Sequence, residues 1–518
     1  MRTELTGRRA GPARLQASHG GEPFMSRIIP KQATSTALGT AHPPVDARRF
    51  RTDLSQHWSS PYAARRIHLI GIGGSGMRGL AGVLLRCGAK VSGSDRTGFS
   101  SQSRLEELGA TISIGQAPIN VPTDCDIVVY SAAINEDNPE LLEARRRNIP
   151  LRKYAEMLGE VMRLRTGVAI SGTHGKSTTT ALTTYLLRQA RLDPTFVVGA
   201  EVKQLESSSG VGDGPHFVVE ACEFDRSFLN LAPKIAAILN IEEDHLDCFP
   251  NLDAIIEAFK AFASLVPEDG VILANGEDRA VAKAVESTRA PIETFGFSEA
   301  CTWRAVNIGQ TRGHYRFDIR RDGRFLLHAQ LDRLPGRHQI GNALVATALA
   351  THAGVTPAAI ADALMSFAGA DRRLTHRGEV SGILLLDDYG HHPTEIQVTL
   401  RAVKEQWPDR KLWLVFQPHQ HSRTRFLLND FARSFALADH LLVPDIYFVR
   451  DSAAERDAIC SADLVARVSA CGQDAKYLPS HAEIVEHIVT HAVAGDIVLT
   501  MGAGDVWKIA DDLVRRLG

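Results

Sequence analysis

A lysine and a serine that directly follow a glycine at the end of an apolar run carry the clearest chemistry in this chain. Gly172-Thr173-His174-Gly175-Lys176-Ser177 stands between GVAIS and TTTALTTYLLRQ, where a strand gives way to a helix. Backbone N–H groups at such a turn, with a helix start behind them, cradle phosphate oxygens. The lysine neutralises β- and γ-phosphates and the next hydroxyl ligates Mg²⁺. The turn is shorter than the full G-x-x-x-x-G-K-[ST], because position 170 is isoleucine. A Gly/Ser/Thr-rich helix cap is the structural alternative.

Candidate metal ligands follow downstream. Glu220 ends the apolar run FVVE, Glu223 is three residues on, and His245 lies in NIEEDHLD after IAAILNI. Both groups fall at the C-terminal ends of expected strands, where open α/β sheets bind ligands. A carboxylate and a hydroxyl suit hard Mg²⁺, whereas an imidazole is a less usual ligand for it. Asp244-His245 also reads as a helix cap.

A second glycine cluster lies earlier, Gly71-Ile72-Gly73-Gly74-Ser75-Gly76, again where a strand (RRIHLI) meets a helix. Asp95 ends the next strand, KVSGSD, where a carboxylate accepts ribose hydroxyls. On these residues alone the loop is a nucleotide site of open kind. A dinucleotide such as NAD, and a turn that serves packing only, both stay in play.

The elements that hold these residues recur in one rhythm. Strand, Gly loop and helix appear at 65–88 and again at 167–190. Further strands are expected in CDIVVYSAAI, HFVVEAC, KIAAILNI and GVILAN, and helices in NALVATALATHAG and TPAAIADALMSFAG. A third set of strands, ILLLDDYG, KLWLVFQPH, HLLVPDIY and DIVLTMGAGD, follows near Asp371. Alternating β and α with Gly-rich turns predicts α/β architecture with parallel sheets and right-handed crossovers. The expected organisation is a disordered tail over 1–60 and three domains over 61–164, 165–370 and 371–518. A chain of 518 residues suits several cores rather than one.

Composition narrows the class. Charged residues are 23% and the net charge is −2, so nothing global favours nucleic acid or an anionic membrane as partner. Residues 1–66 carry 11 Lys/Arg against 4 Asp/Glu, which sets a basic arm apart from the body. That arm lacks the apolar stretch of a secretory signal, and Met25 is an alternative start. No apolar run is long enough to span a bilayer. Seven scattered cysteines without a C-x-x-C pair suit free thiols in the cytoplasm.

Taken together, GIGGSGM, GTHGKSTTT, NIEEDHLD, LPGRHQIGNALVA, DDYGHHPTE, FQPHQHSRT and GDIVLTMGAGD resemble the Mur ligase family over about residues 62–515. Their order and spacing carry the resemblance, and the first and last motifs are similar to the alanine-adding branch. The resemblance implies a Rossmann-like UDP-binding domain, a central P-loop ATPase-like domain and a Rossmann-like C-terminal domain. It also implies ATP and Mg²⁺, with UDP-N-acetylmuramic acid and L-alanine joined through an acyl phosphate during peptidoglycan precursor synthesis. A monomer or homodimer is expected. The alternative is a recycling ligase that attaches a tripeptide to the same sugar nucleotide.

The resemblance distributes roles. Lys176, His245 and Arg373 are the catalytic candidates. ATP falls to Gly172, Thr173, His174, Gly175, Lys176, Ser177, Thr178, His338 and Asn342. Mg²⁺ falls to Ser177, Glu220 and His245. The UDP substrate falls to Gly73, Gly74, Ser75, Gly76, Asp95 and Ser131, with Tyr389, His391, His392 and Arg423 from a closing face. Arg377 is a weaker candidate for the alanine carboxylate, and Lys260 reads as a solvated lysine rather than the carbamylated lysine of sibling ligases. For Arg373 the structural alternative is an interdomain ion pair; for the paired histidines it is a local hydrogen-bond network. The stretch Glu220-Ala221-Cys222-Glu223-Phe224-Asp225 departs from the usual E-A-D-E-S-D, which puts Glu223 in doubt. Gln339 stands where the family has asparagine, so the base contact moves to His338 and Asn342. The hinge for closure is expected near Ala368–Arg373.

Overall fold

The computed structural model describes residues 60–99, 102–131, 133–244 and 248–518. Residues 1–59 of the tail expected over 1–60, Met25 among them, and His245 lie outside the described residues.

Three sheets organise the described chain. The first is fully parallel in the order β3-β2-β1-β4-β5, with β1 Arg66–Ile70, β2 Lys90–Asp95, β3 Thr111–Ile114, β4 Ile127–Tyr130 and β5 Leu151–Lys153. Its strand order reverses beside β1, so the loops after β1 and β4 flank one crevice. The expected strand Cys125–Ile134 is cut to Ile127–Tyr130, because Ile134 N–H closes a turn on the Ser131 carbonyl.

The second sheet has ten strands. In chain order they are β6 Thr166–Ser171, β7 Thr195–Val197, β8 Ser209–Gly210, β9 His216–Glu220, β10 Ile235–Ile238, β11 Val271–Asn275, β12 Ile292–Gly296, β13 Trp303–Thr311, β14 His314–Arg321 and β15 Arg324–Leu331. Their spatial order is β15-β14-β13-β12-β11-β10-β6-β9-β7-β8. β6 lies between β10 and β9 and is parallel to both, so the turn after it opens at a switch point. β13 to β15 form an antiparallel extension that the sequence reading left out.

The third sheet has the order β16-β17-β21-β18-β19-β20, with β16 Thr375–Val380, β17 Ile383–Asp388, β18 Leu412–Phe416, β19 His440–Val443, β20 Ala475–Tyr477 and β21 Ile497–Met501. Only β16 runs antiparallel. β17, β18 and β21 are wholly buried apolar strands apart from Asp387, Asp388 and Thr500, and the loops that follow them face the second sheet's block.

Two helices matter most for position. Lys176–Gln189 is buried along nearly its whole length despite five threonines, and His338–His352 packs beside it. Tertiary packing therefore overrides the weak helix propensity of threonine. No helix among the described residues is long and apolar enough to cross a membrane.

Candidate active site

The turn after β6 is pinned from the neighbouring strand. Thr173 N–H donates to the Asn240 carbonyl at 3.0 Å and His174 N–H to Asn240 Oδ1 at 2.7 Å. Gly175, at φ +83°, precedes the first turn of helix Lys176–Gln189. Lys176 Nζ folds back over the turn, donating to the Gly172 carbonyl at 2.5 Å and the Thr173 carbonyl at 3.0 Å, with Glu223 at 2.9 Å. Burial alone would lower the lysine pKa. The charges of Glu223 and its neighbours outweigh that and hold it above the usual lysine range. Glu223, left in doubt by the sequence, is thus the buried counter-ion of the lysine.

Ser177 and Glu220 line one cavity of about 410 Å³ with Lys176. Glu220 Oε2 accepts from Gly199 N–H at 2.8 Å. A Cβ on Gly199 would come within 2.7 Å of that oxygen, so only glycine lets the backbone hold the carboxylate there. A hydroxyl and a carboxylate are oxygen donors of the kind a hard divalent cation takes.

The same cavity is closed by loops of the third sheet, which bring Arg373, Tyr389, His391 and Arg423 to it. Tyr389 lies between Arg372 and Arg373, with guanidinium carbons 5.1 and 5.2 Å from its ring centre. Arg373 pairs with Glu395 at 3.4 Å, inside its own block, so the interdomain ion pair entertained from sequence is not its partner. His391 Nδ1 lies 3.2 Å from the Tyr389 carbonyl, which places the proton on that nitrogen. Burial brings its pKa down to about 4, and His419 beside it to about 3, so both rings are neutral at pH 7.

Two of the expected residues, His392 and Arg377, lie away from this cavity. His392 does not line the cavity. Its Nδ1 accepts from Thr394 N–H as a helix cap, and its Nε2 meets the Glu243 carbonyl at 3.1 Å, which is the network alternative. Arg423 reaches the cavity, but its nitrogens are engaged by Asp244 and His419. Arg377 pairs with Asp511 and is absent from the cavity. Lys260 is a partly exposed helix residue 3.8 Å from Glu257, in line with the solvated reading.

His174 joins the blocks. Its ring lies 3.5 Å from Glu242 and 3.4 Å from Glu395 and packs on His392 with ring centres 4.7 Å apart. Burial disfavours its charge, yet hydrogen bonds to the two carboxylates raise its pKa to about 9. Glu395 was not foreseen as a site residue. It is held well below the carboxylate range because His391, His174 and Arg373 overcome its burial. The sequence signal was the capping box His392-Pro-Thr-Glu395.

His338 and Asn342 line an adjoining cavity of about 370 Å³ with Phe295 and Phe297. Asn342 Oδ1 accepts from Thr179 Oγ1 and its amide donates to Gln339, so Gln339 orients the asparagine. Thr178 lines a third cavity behind His338, next to Arg373.

In the first sheet, Gly74 precedes helix Ser75–Arg86, and Asp95 Oδ2 accepts from Gly73 N–H at 2.9 Å. A Cβ on Gly71 would come within 3.7 Å of Ser131 Oγ across the β1/β4 crevice, and one on Gly76 would crowd the Tyr154 hydroxyl at 2.6 Å. The loop and its carboxylate are therefore together as expected. Arg78 of that helix reaches Glu201 of the second block at 3.2 Å, and the Glu201 carbonyl accepts from Asp371 N–H at the expected hinge.

Three α/β blocks with a Gly-Lys-Ser turn at the floor of the cleft between the second and third set the class of fold. More narrowly, the chain belongs to the Mur ligase family. Residues 66–166 match the Mur ligase family catalytic domain, 170–350 the Mur ligase middle domain and 372–504 the glutamate ligase domain. The chain is 41% identical over 454 residues to a UDP-N-acetylmuramate–L-alanine ligase of Alkaliphilus metalliredigens, covering 87% of this chain and 97% of that one. Among solved structures it is similar to the UDP-N-acetylmuramate–alanine ligase of Thermotoga maritima, with a TM-score of 0.72 and 27% identity over 87% of this chain and 98% of that one. It is also similar to a murein peptide ligase of Psychrobacter arcticus, with a TM-score of 0.66 and 27% identity over 88% and 99%.

Proposed function

We propose that the protein joins L-alanine to the carboxyl group of UDP-N-acetylmuramic acid with hydrolysis of ATP, in the synthesis of peptidoglycan precursors. The observation that carries the reading is the shared cavity. Lys176, Ser177 and Glu220 form its floor, and Tyr389, His391 and Arg373 form its roof. A carboxylate resists nucleophiles because of its charge. Transfer of the γ-phosphoryl group to it removes that charge and supplies a leaving group, after which an amine attacks the acyl phosphate and phosphate departs.

Lys176 and Arg373 place positive charge against the transferring phosphoryl group, which is the electrostatic and positioning work such a transfer needs. Ser177 and Glu220 would hold Mg²⁺, which supplies charge neutralisation at the phosphates. The aromatic-lined cleft beside His338 and Asn342 suits the adenine base. Asp95 and the first loop suit the uridine diphosphate group. Neutral His391 offers a lone pair, at the nitrogen opposite its bonded Nδ1, to orient an incoming amine. The proposed setting is the cytoplasm; all seven cysteines are free thiols, as a reducing compartment favours.

Phosphate release with ATP, Mg²⁺, UDP-N-acetylmuramic acid and one acceptor at a time tests the reading. L-Alanine is expected to give one phosphate per amide formed, and an intact tripeptide none. Release with the tripeptide alone would transfer the protein to the recycling type.

A further inference from the structure

On the proposed reading the cleft between the second and third blocks receives several anions, and the lysine and arginines that line it can be accounted for one by one. Lys176 is held by Glu223, Arg373 by Glu395 and Arg423 by Asp244. Arg372 donates to Asp387 and to the carbonyls of Gly502 and Gly504. Arg450 is the remaining arginine of the cavity, and among the described residues no carboxylate lies within ion-pair distance of it. Its guanidinium instead lies over the face of Phe224, 4.3 Å from the ring centre. Stacking of that kind fixes the plane of the group and leaves its edge N–H donors open.

The backbone presents this side chain deliberately. Arg450 adopts φ +61°, a left-handed conformation that a non-glycine residue keeps only where its surroundings impose it. Its loop is tied to the segment after β18 by two main-chain bonds, Tyr447 N–H to the Pro418 carbonyl at 2.8 Å and Gln420 N–H to the Tyr447 carbonyl at 3.2 Å. Tyr447 also stacks on His419. The adjacent acid does not neutralise Arg450, because Asp451 accepts from His421 N–H and Ser422 Oγ. Phe224 comes from the second block and Arg450 from the third, so the pair forms only when the two blocks face each other.

We propose that Arg450 binds the carboxylate of the incoming amino acid, with Phe224 as the platform that positions it. The inference rests on the amide-forming reading of the cleft. An α-amino acid must present its amine to the acyl group while its own carboxylate is held away from the phosphates, and an open guanidinium edge matches a carboxylate in a bidentate fashion. This replaces Arg377, which is committed to Asp511.

The test compares wild type with R450M and R450K in the full chain. R450M is expected to raise KM for L-alanine about 10- to 100-fold, the worth of a hydrogen bond to a charged group. KM for ATP and for the UDP-sugar should stay within about twofold, since their binding does not involve this residue. R450K, which keeps charge but not the fork, should fall between. L-Alaninamide, which lacks the carboxylate, supplies the readout that a structural role would not move. The preference of wild type for L-alanine over the amide should largely vanish in R450M. An unchanged preference, or a rise in all three KM values together, overturns the assignment. Wild type that forms no amide from L-alanine refutes the reading of the cleft itself, a result distinguishable from either.

Discussion

Arg423 and Asp244 form an ion pair, buried on both sides, that joins the third block to the second. Nε and Nη2 of the arginine both reach Asp244 Oδ1, at 2.9 and 2.7 Å, and each side chain is less than a tenth exposed. Removing one partner of such a pair leaves an uncompensated buried charge, at a cost of about 3–5 kcal/mol. R423M is therefore expected to lower stability in guanidinium denaturation and to expand the molecule in X-ray scattering with nucleotide bound. R423M/D244N should recover most of the stability, because the buried acid that faced Arg423 no longer carries a charge. Equal loss in the single and double variants would remove the pair from the account of closure.

Lys176 and Glu223 allow folding and turnover to be separated. K176M takes the paired ammonium away from buried Glu223, so it should lose both stability and activity. K176M/E223Q should regain stability while turnover stays down by about 100-fold or more, the scale seen when a preorganised charge is taken from a developing anion. Thermal denaturation and phosphate release on the same preparations check this. Recovery of turnover in the double variant would mean that Lys176 serves only to balance Glu223.

Gly199 tests the metal reading without touching a proposed ligand. G199A brings a Cβ to 2.7 Å from Glu220 Oε2, so the carboxylate must move. The Mg²⁺ concentration for half-maximal activity should rise several-fold, with KM for L-alanine nearly unchanged. An unaltered Mg²⁺ dependence counts against Glu220 as a ligand.

Much of this site was legible because each motif falls at a strand end, and strand ends were marked by apolar runs into glycine. β2 begins and ends where KVSGSD suggested, and Asp95 meets the first loop as its position implied. What the sequence could not give was the pairing between distant segments. Nothing in DYGHHPTE distinguishes His391, which lines the cavity, from His392, which turns back to cap a helix and bond Glu243. Arg450 lies outside every recognised motif, and only the fold brings it to Phe224. The antiparallel extension was missed for a different reason. Its strands alternate apolar and charged residues, with one face exposed, and were overlooked beside the apolar runs of the parallel strands. The turns Arg312-Gly313 and Asp322-Gly323, both at positive φ, were the available hairpin signal.

A buried carboxylate ties that extension to the helix bearing His338 and Asn342, beside an edge contact between the Trp303 and His352 rings. Glu293 accepts from Trp303 Nε1 at 2.7 Å, from Arg321 at 2.9 Å and from His352 at 2.9 Å. Burial alone would raise its pKa, but the bonds and charges of His352, Arg321 and Trp303 bring it down to about 2 from 4.5. A carboxylate depressed in the folded state contributes stability that is fully present above its unfolded pKa. That contribution is lost as pH falls through the folded value. The difference in stability between wild type and E293Q should therefore be flat from pH 7 to about 5 and shrink as pH falls from about 4.5 toward 2, from an initial size on the order of 2–3 kcal/mol. Because the helix orients the base cleft, E293Q should also raise KM for ATP at pH 7 more than KM for L-alanine. A penalty that stays constant down to pH 3 would mean that Glu293 acts by shape alone, and that its charge holds nothing together.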